Sequence, residues 1–204
     1  MTQPLILASS SPYRRALLRQ LQLPFQYADP RTDEKAKPGE DADARALRLA
    51  GKKAHTLAPA YPQALIIGAD QVAECCGHIL HKPGSRARAI AQLNICAGKR
   101  ATFHTALTVL DSTSGRQSTG LETYTVYFRP LSKAQIERYV ELEKPYDCAG
   151  AFKVEGLGIA LFEKLEGTDI NTLVGLPLIR LTDLLREHGI DPLAPPLKAP
   201  GAAS

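Results

Sequence analysis

The segment Pro4-Leu5-Ile6-Leu7-Ala8-Ser9-Ser10-Ser11-Pro12 limits the fold more than any other stretch of this 204-residue chain. Pro4 to Ala8 is a short apolar run with β-branched character, closed by three serines, and reads as a buried strand. Ser11 followed by Pro12 is a strong helix start, with a hydroxyl at the N-cap and proline at the first helical position. A strand therefore passes into a helix within a few residues. The first turn of that helix carries Arg14 and Arg15, although a helix N-terminus already bears about half a positive charge. Two guanidiniums beside free backbone N–H groups make sense if an anion belongs there. The competing account is an arginine pair on a solvated face.

The remaining punctuation continues the alternation of strand and helix. The first helix is expected to end near Leu21, followed by a strand over Phe25 to Ala28 and a carboxylate-rich loop, Asp29-Pro30-Arg31-Thr32-Asp33-Glu34. Glu40 to Ala58 reads as a long helix, with Ala46, Leu47, Leu49, Ala50, Ala54 and Leu57 close to a 3.6-residue stripe. Ala64 to Ala69 is a continuous apolar run suited to the centre of a sheet, and Asp70 marks its end. Ser85 caps a helix to about Ala97, with Gly98 as its left-handed terminator. Ala101 to Leu110 and Gln117 to Phe128 flank the turn signal Ser112-Thr113-Ser114-Gly115 and form an expected antiparallel pair. Ser132 to Gln135 is a capping box. Val154 to Phe162 reads as a glycine-interrupted strand, and Leu176 to Glu187 as a last helix. Residues 1–191 thus read as one α/β domain with a mixed sheet, and 192–204 as a disordered Pro/Ala-rich tail.

Composition narrows the class of function. The net charge is only +4, from 25 Lys and Arg against 21 Asp and Glu, and the basic residues are dispersed. A nucleic-acid binder concentrates them, and interleaves aromatics that are scarce here. No apolar run approaches the ~18 residues of a membrane span, and the N-terminus lacks a basic region ahead of its short apolar stretch. Cytoplasm is the expected location. Cys75, Cys76, Cys96 and Cys148 contain no C-x-x-C pair and read as ordinary thiols of a reducing compartment.

Asp70, at the carboxyl end of its strand, stands where open α/β sheets bind ligands. A carboxylate there can hold a divalent metal or take a proton from water; it can also simply cap a turn. Lys82, in His81-Lys82-Pro83, and Lys53, on the long helix, are point charges suited to phosphate oxygens, or ordinary surface lysines. Glu34 adds a second loop carboxylate. Cations for phosphate charge, with carboxylates for metal and water, form the set that a magnesium-bound triphosphate requires. No G-x-x-x-x-G-K-[ST], G-x-G-x-x-G or G-x-S-x-G pattern occurs, so P-loop, Rossmann and nucleophile-elbow sites are unsupported.

Ser9/Ser11-Arg14-Arg15, Thr32-Asp33-Glu34, Lys53, Gly68-Ala69-Asp70-Gln71, Lys82-Pro83 and Asn171-Thr172-Leu173-Val174-Gly175-Leu176-Pro177 together resemble the Maf-type nucleoside triphosphate pyrophosphatases, in order, from Leu5 to about Pro192. The resemblance implies a two-lobed α/β fold, an elongated twisted mixed sheet around a cleft, similar to the inosine-triphosphatase fold. It implies hydrolysis between the α- and β-phosphates with a divalent cation (Mg2+, Mn2+ or Co2+). By the same resemblance Asp70 is the proton acceptor, with Glu34, Lys53 and Lys82 catalytic, Ser9, Arg14 and Arg15 on the phosphates, and Glu34 and Asp70 toward the metal. A homodimer is compatible with it.

Three positions separate the branches of that family. The dTTP/UTP branch carries Arg, Thr and Gln where this chain has Tyr13, Gln71 and Glu155. The latter two match the branch that hydrolyses 7-methyl-GTP, in which tryptophan occupies the position of Tyr13. A carboxylate such as Glu155 can accept from the N1–H and N2–H2 groups of guanine. An aromatic face at Tyr13 attracts a base made cationic by N7-methylation. The expected activity is conversion of 7-methyl-GTP to 7-methyl-GMP and diphosphate, a house-cleaning of modified nucleotides. The alternatives are the dTTP/UTP reaction and a non-catalytic nucleotide-binding regulator of cell division.

Overall fold

The structure is a computed structural model that describes residues 3–194. One seven-stranded sheet runs through the molecule: β1 (Leu5–Ala8), β2 (Phe25–Ala28), β3 (Leu65–Cys75), β4 (His78–Leu80), β5 (Arg100–Asp111), β6 (Gln117–Phe128) and β7 (Phe162–Gly167). The order is β2-β1-β3-β5-β6-β7, with β4 also paired to β3. β1 lies parallel to β2 and β3, whereas every other pairing is antiparallel. The mixed α/β sheet expected from the sequence is present.

Helices α1 (Pro12–Arg19), α2 (Ala42–Leu57), α3 (Arg86–Cys96), α4 (Lys133–Glu143), α5 (Asn171–Val174) and α6 (Leu178–Glu187) flank the sheet. Their starts follow the local chemistry. Ser11 accepts from the Arg14 amide, Asp41 from that of Ala44 and Ser85 from that of Arg88, each satisfying an amide with no partner inside its helix. At α4 both halves of the capping box form. Two large apolar cores fill opposite ends of the long strands. One gathers Phe103, Val126, Phe128, Ile136, Phe152 and Phe162 beneath α3 and α4. The other gathers Leu7, Leu18, Ile67, Leu107, Leu181 and Leu185 beneath α1 and α6.

Three sequence expectations need correction. The β3 strand does not stop at Asp70. It continues to Cys75 because β5 keeps pairing with it, Asp70 opposite Ala106 and Glu74 opposite Thr102, an extension hidden by the polar residues along it. Val154 to Phe162 is not a strand either: a turn leads into a 3-10 helix over Leu157–Leu161, and β7 begins only at Phe162. The chain doubles back so tightly that a Cβ on Gly158 would lie 2.2 Å from the Lys153 carbonyl oxygen, which extended backbone would not produce. The last helix begins at Leu178, because the expected start at Leu176 is separated from it by Pro177 at the cap. The expected disordered tail lies, from residue 195 onward, outside the described residues.

The topology leaves a gap. The pairing of β1 with β3 ends at Ala8 opposite Gly68, and β4 takes up that edge again only at Ala73. Residues 69–72 of β3 thus pair with β5 on one side and face open space on the other. Side chains from both faces of the strand can reach that space.

Candidate active site

A cleft of about 660 Å3 occupies the gap, within the size range of small-ligand sites. Its walls include the serine-rich start of α1, the 29–34 loop, the His81–Lys82 loop and residues 147–155.

Gly68 and α2 set up the buried centre of the site. The helix crosses so near the strand that a Cβ on Gly68 would stand 2.1 Å from the Ala50 carbonyl oxygen; only glycine permits that approach. One turn on from Ala50, Lys53 is 6% exposed, and two residues on from Gly68, Asp70 is equally buried. Lys53 Nζ lies 2.5 Å from Asp70 Oδ1 and 2.6 Å from Glu34 Oε1. No other cation among the described residues pairs with either carboxylate. Burial pushes the Glu34 carboxyl up, but the Lys53 ammonium, helped by Arg14 and Lys82, outweighs burial and holds it below the ordinary range.

Glu34 is placed by a row of cations on α2. Arg45 Nη2 donates to the Glu34 carbonyl at 3.2 Å, Arg48 Nη2 to the Lys35 carbonyl at 3.1 Å, and Lys52 Nζ to the Asp33 carbonyl at 2.8 Å. Arg48 also pairs with Glu40 across the same loop. The spacing of Arg45, Arg48, Lys52 and Lys53 puts them on one helical face. Arg45, Arg48 and Lys52 each donate to a backbone carbonyl of the 33–35 stretch, which pins the loop, and of the row only Lys53 takes the Glu34 carboxylate.

The two arginines of α1 part company. Arg14 enters the cleft, its Nε donating to the Gly175 carbonyl at 2.8 Å. Burial pulls its guanidinium pKa down, against the charges of Asp70 and Glu34. Arg15 instead lays its guanidinium over the Tyr27 ring, 4.3 Å from the centroid, and does not line the cleft. Successive residues of a helix point about 100° apart, which is why the pair cannot share one target. Arg15, expected on the phosphates, therefore lies outside the cleft. Ser9 is buried at the cleft wall, and its Oγ accepts from the Ser11 amide at 3.1 Å. Lys82 is exposed at the rim with no ion pair among the described residues, on a loop tied down where the Gly84 amide donates to the Tyr146 carbonyl.

Gln71 lies on the face of β3 opposite Asp70. Its Nε2 reaches Thr105 Oγ1 at 3.0 Å and the Thr172 carbonyl at 2.7 Å, while Thr105 Oγ1 donates to the same carbonyl at 2.9 Å. Because carbonyls only accept, the amide orientation is fixed, and Oε1 is left as the acceptor that Gln71 can offer a ligand. The short helix α5 thus supplies a carbonyl to Gln71 from Thr172, and its C-cap Gly175 supplies one to Arg14.

Tyr13 stands at the cleft wall with its hydroxyl donating to Asp147 Oδ2 at 2.9 Å and 3.7 Å from Cys148 Sγ. Burial, reinforced by these contacts, raises the phenol pKa well above its ordinary range. Glu155, exposed in the turn after Val154, lines the same wall with no hydrogen bond to a described residue. The cleft therefore gathers every candidate residue that the sequence singled out for the site except Arg15.

A family model described as Maf-like protein matches residues 4–188. The chain belongs to the Maf family. A protein of Pseudomonas aeruginosa named 7-methyl-GTP pyrophosphatase is 54% identical over 187 residues, covering 92% of this chain and 97% of the relative. One of Hahella chejuensis with the same name is 51% identical over 187 residues, covering 91% and 94%. Among solved structures, the Ham1 protein of Staphylococcus aureus superposes with a TM-score of 0.51 at 13% identity, over 91% of this chain and 100% of that one. A HAM1 protein from Coxiella burnetii matches to the same degree. At such identity the likeness speaks for the fold alone.

Within this Maf chain, sequence reasoning missed Arg45, Lys52 and Asp147. The four-cation face of α2 opposite a carboxylate-rich loop was a usable signal for the first two. Asp147 had none, since only the fold brings it to Tyr13.

Proposed function

We propose that this protein is a nucleoside triphosphate pyrophosphatase acting on 7-methyl-GTP, releasing 7-methyl-GMP and diphosphate. The carrying observation is the buried Lys53 ammonium shared by Asp70 and Glu34 at the floor of a cleft whose wall carries Arg14 and Ser9. The curated relatives that share half or more of its residues bear that activity in their names.

Arg14, Lys82 and the serine-rich helix start bind the triphosphate, as cations and free amides at a helix N-terminus do. Asp70 accepts the proton of the attacking water, whose oxygen bonds to the α-phosphorus as the bridge to the β-phosphorus breaks; diphosphate leaves with the bridging oxygen. Lys53 keeps Asp70 and Glu34 in register beneath the phosphates. Among the described residues no cluster of three or more His, Cys, Asp or Glu forms a metal site. Two converging carboxylates do suit an ion such as Mg2+, which takes its remaining oxygens from water and substrate phosphates. Glu34 and Asp70 would hold it, and it would supply charge to the phosphoryl oxygens. The base end falls to Tyr13, Gln71 and Glu155, where an anionic acceptor and a fixed amide oxygen suit the N–H edge of guanine.

Pyrophosphate release from 7-methyl-GTP, GTP, dTTP, UTP and CTP at equal concentration, with Mg2+ or Mn2+, tests this reading. The expected order places 7-methyl-GTP first, with little turnover of dTTP. Fastest release from dTTP or UTP would overturn the base assignment, and saturable binding with no release from any nucleotide would overturn the activity.

A further inference from the structure

We propose that Asp147 is a specificity-determining residue that selects a positively charged, N7-alkylated purine through the Tyr13 ring and beside it, an inference that rests on the 7-methyl-GTP reading above.

Three observations meet at this point. The Tyr13 hydroxyl donates to Asp147 Oδ2 at 2.9 Å, so the phenol is bound to an anion rather than to water. A phenol that donates to a carboxylate gains electron density on its oxygen and ring, which deepens the negative potential of the ring face that a cation meets. Tyr13, Asp147 and Glu155 all line the cleft, so the anion lies on the same wall as the ring. The nearby Lys153 ammonium donates to the Glu143 carbonyl at 3.2 Å, and among the described residues Asp147 makes no ion pair. Methylation at N7 turns neutral guanine into a delocalised cation, and an anion-backed aromatic face favours that form over the unmethylated base. The negative charge is retained: burial pushes the Asp147 carboxyl up, but the Tyr13 hydroxyl and the other donors outweigh it and bring it below the ordinary range.

A purely mechanical role, in which Asp147 clasps α1 to the 147–155 segment, makes a different forecast. Loss of a clasp would weaken both purine nucleotides alike. Loss of charge recognition changes their ratio.

The experiment measures kcat and KM for 7-methyl-GTP and GTP with the full chain, in wild type, Asp147→Asn, Asp147→Glu and Tyr13→Phe. Asp147→Asn keeps the shape and removes the charge, and is expected to lower the ratio of kcat/KM for 7-methyl-GTP over GTP by about tenfold, within the range of cation–π effects. The loss should fall on KM for 7-methyl-GTP. Asp147→Glu, which keeps the charge, should recover part of the ratio, and Tyr13→Phe, which keeps the ring without its link to the anion, should give an intermediate value. A wild-type preference for 7-methyl-GTP that survives Asp147→Asn would overturn the proposal while leaving the base assignment intact. No wild-type preference would overturn both.

Discussion

At the scale of single residues, Arg14 and Arg15 show what a sequence can and cannot disclose. The unfavourable charge at the start of α1 singled out two arginines, yet only Arg14 lines the cleft; Arg15 rests on Tyr27. Residue type and spacing state what chemistry is available, and side-chain direction comes from the packed helix. Gln71 makes the same point: its position was legible, its orientation was not, because Thr105 and Thr172 reach it from distant segments. Thr105→Val removes a hydroxyl that is fully buried and keeps the shape of the side chain. With a hydrogen bond worth about 1 kcal/mol, the amide is held less firmly, by the Thr172 carbonyl without the hydroxyl, and KM for 7-methyl-GTP is expected to rise up to about fivefold with kcat nearly unchanged. Thr105→Ser should restore it, as steady-state kinetics will read directly. Equal losses in kcat and KM for every nucleotide would instead mean a general disturbance of the cleft.

At the scale of elements, the contact of α2 with β3 holds the buried Lys53–Asp70 pair together. Gly68→Ala would drive a methyl group into the Ala50 carbonyl oxygen, and neither backbone can move without shifting Lys53 or Asp70. Overpacking of this kind costs about 3 kcal/mol, so thermal denaturation should show a Tm lower by roughly 6–12 °C for a chain of this size. The caps and helices were largely readable because Ser11, Asp41, Ser85 and Ser132 act on amides within their own turns. The segment 154–162 was misread for the opposite reason. Its alternation of apolar residues and glycines suits a strand, and the close return onto Lys153 is dictated by packing that no local pattern records. The short α5 likewise carries no periodic signature, although it and its C-cap supply carbonyls to Gln71 and Arg14.

At the scale of the whole molecule, the cleft exists because β1 ends early and β4 begins late along the same edge of β3. The alternation of strands and helices announced an α/β protein; the gap depends on strand register, which the sequence does not display. Acid stability follows from charges spread over the molecule. Glu34 is held below its ordinary 4.5, and Asp111, accepting from Ser114, Thr113 and Gln3, is brought from 3.8 to about 2. Lowered carboxyl values mean that the unfolded chain binds protons more readily, so their contribution is complete above about pH 5 and is lost as pH falls through the folded values. The Tm should therefore fall steadily from pH 5 to pH 2, and Asp111→Asn should flatten the part below pH 4; a profile unchanged in that variant would contradict the assignment. The central claim, that Asp70 activates water against a triphosphate held by its neighbours, is tested most directly by turnover and calorimetric binding of 7-methyl-GTP to Asp70→Asn. The expected result is a kcat lower by about 10²–10⁴-fold with binding and Tm largely kept; turnover near the wild-type rate would contradict the account.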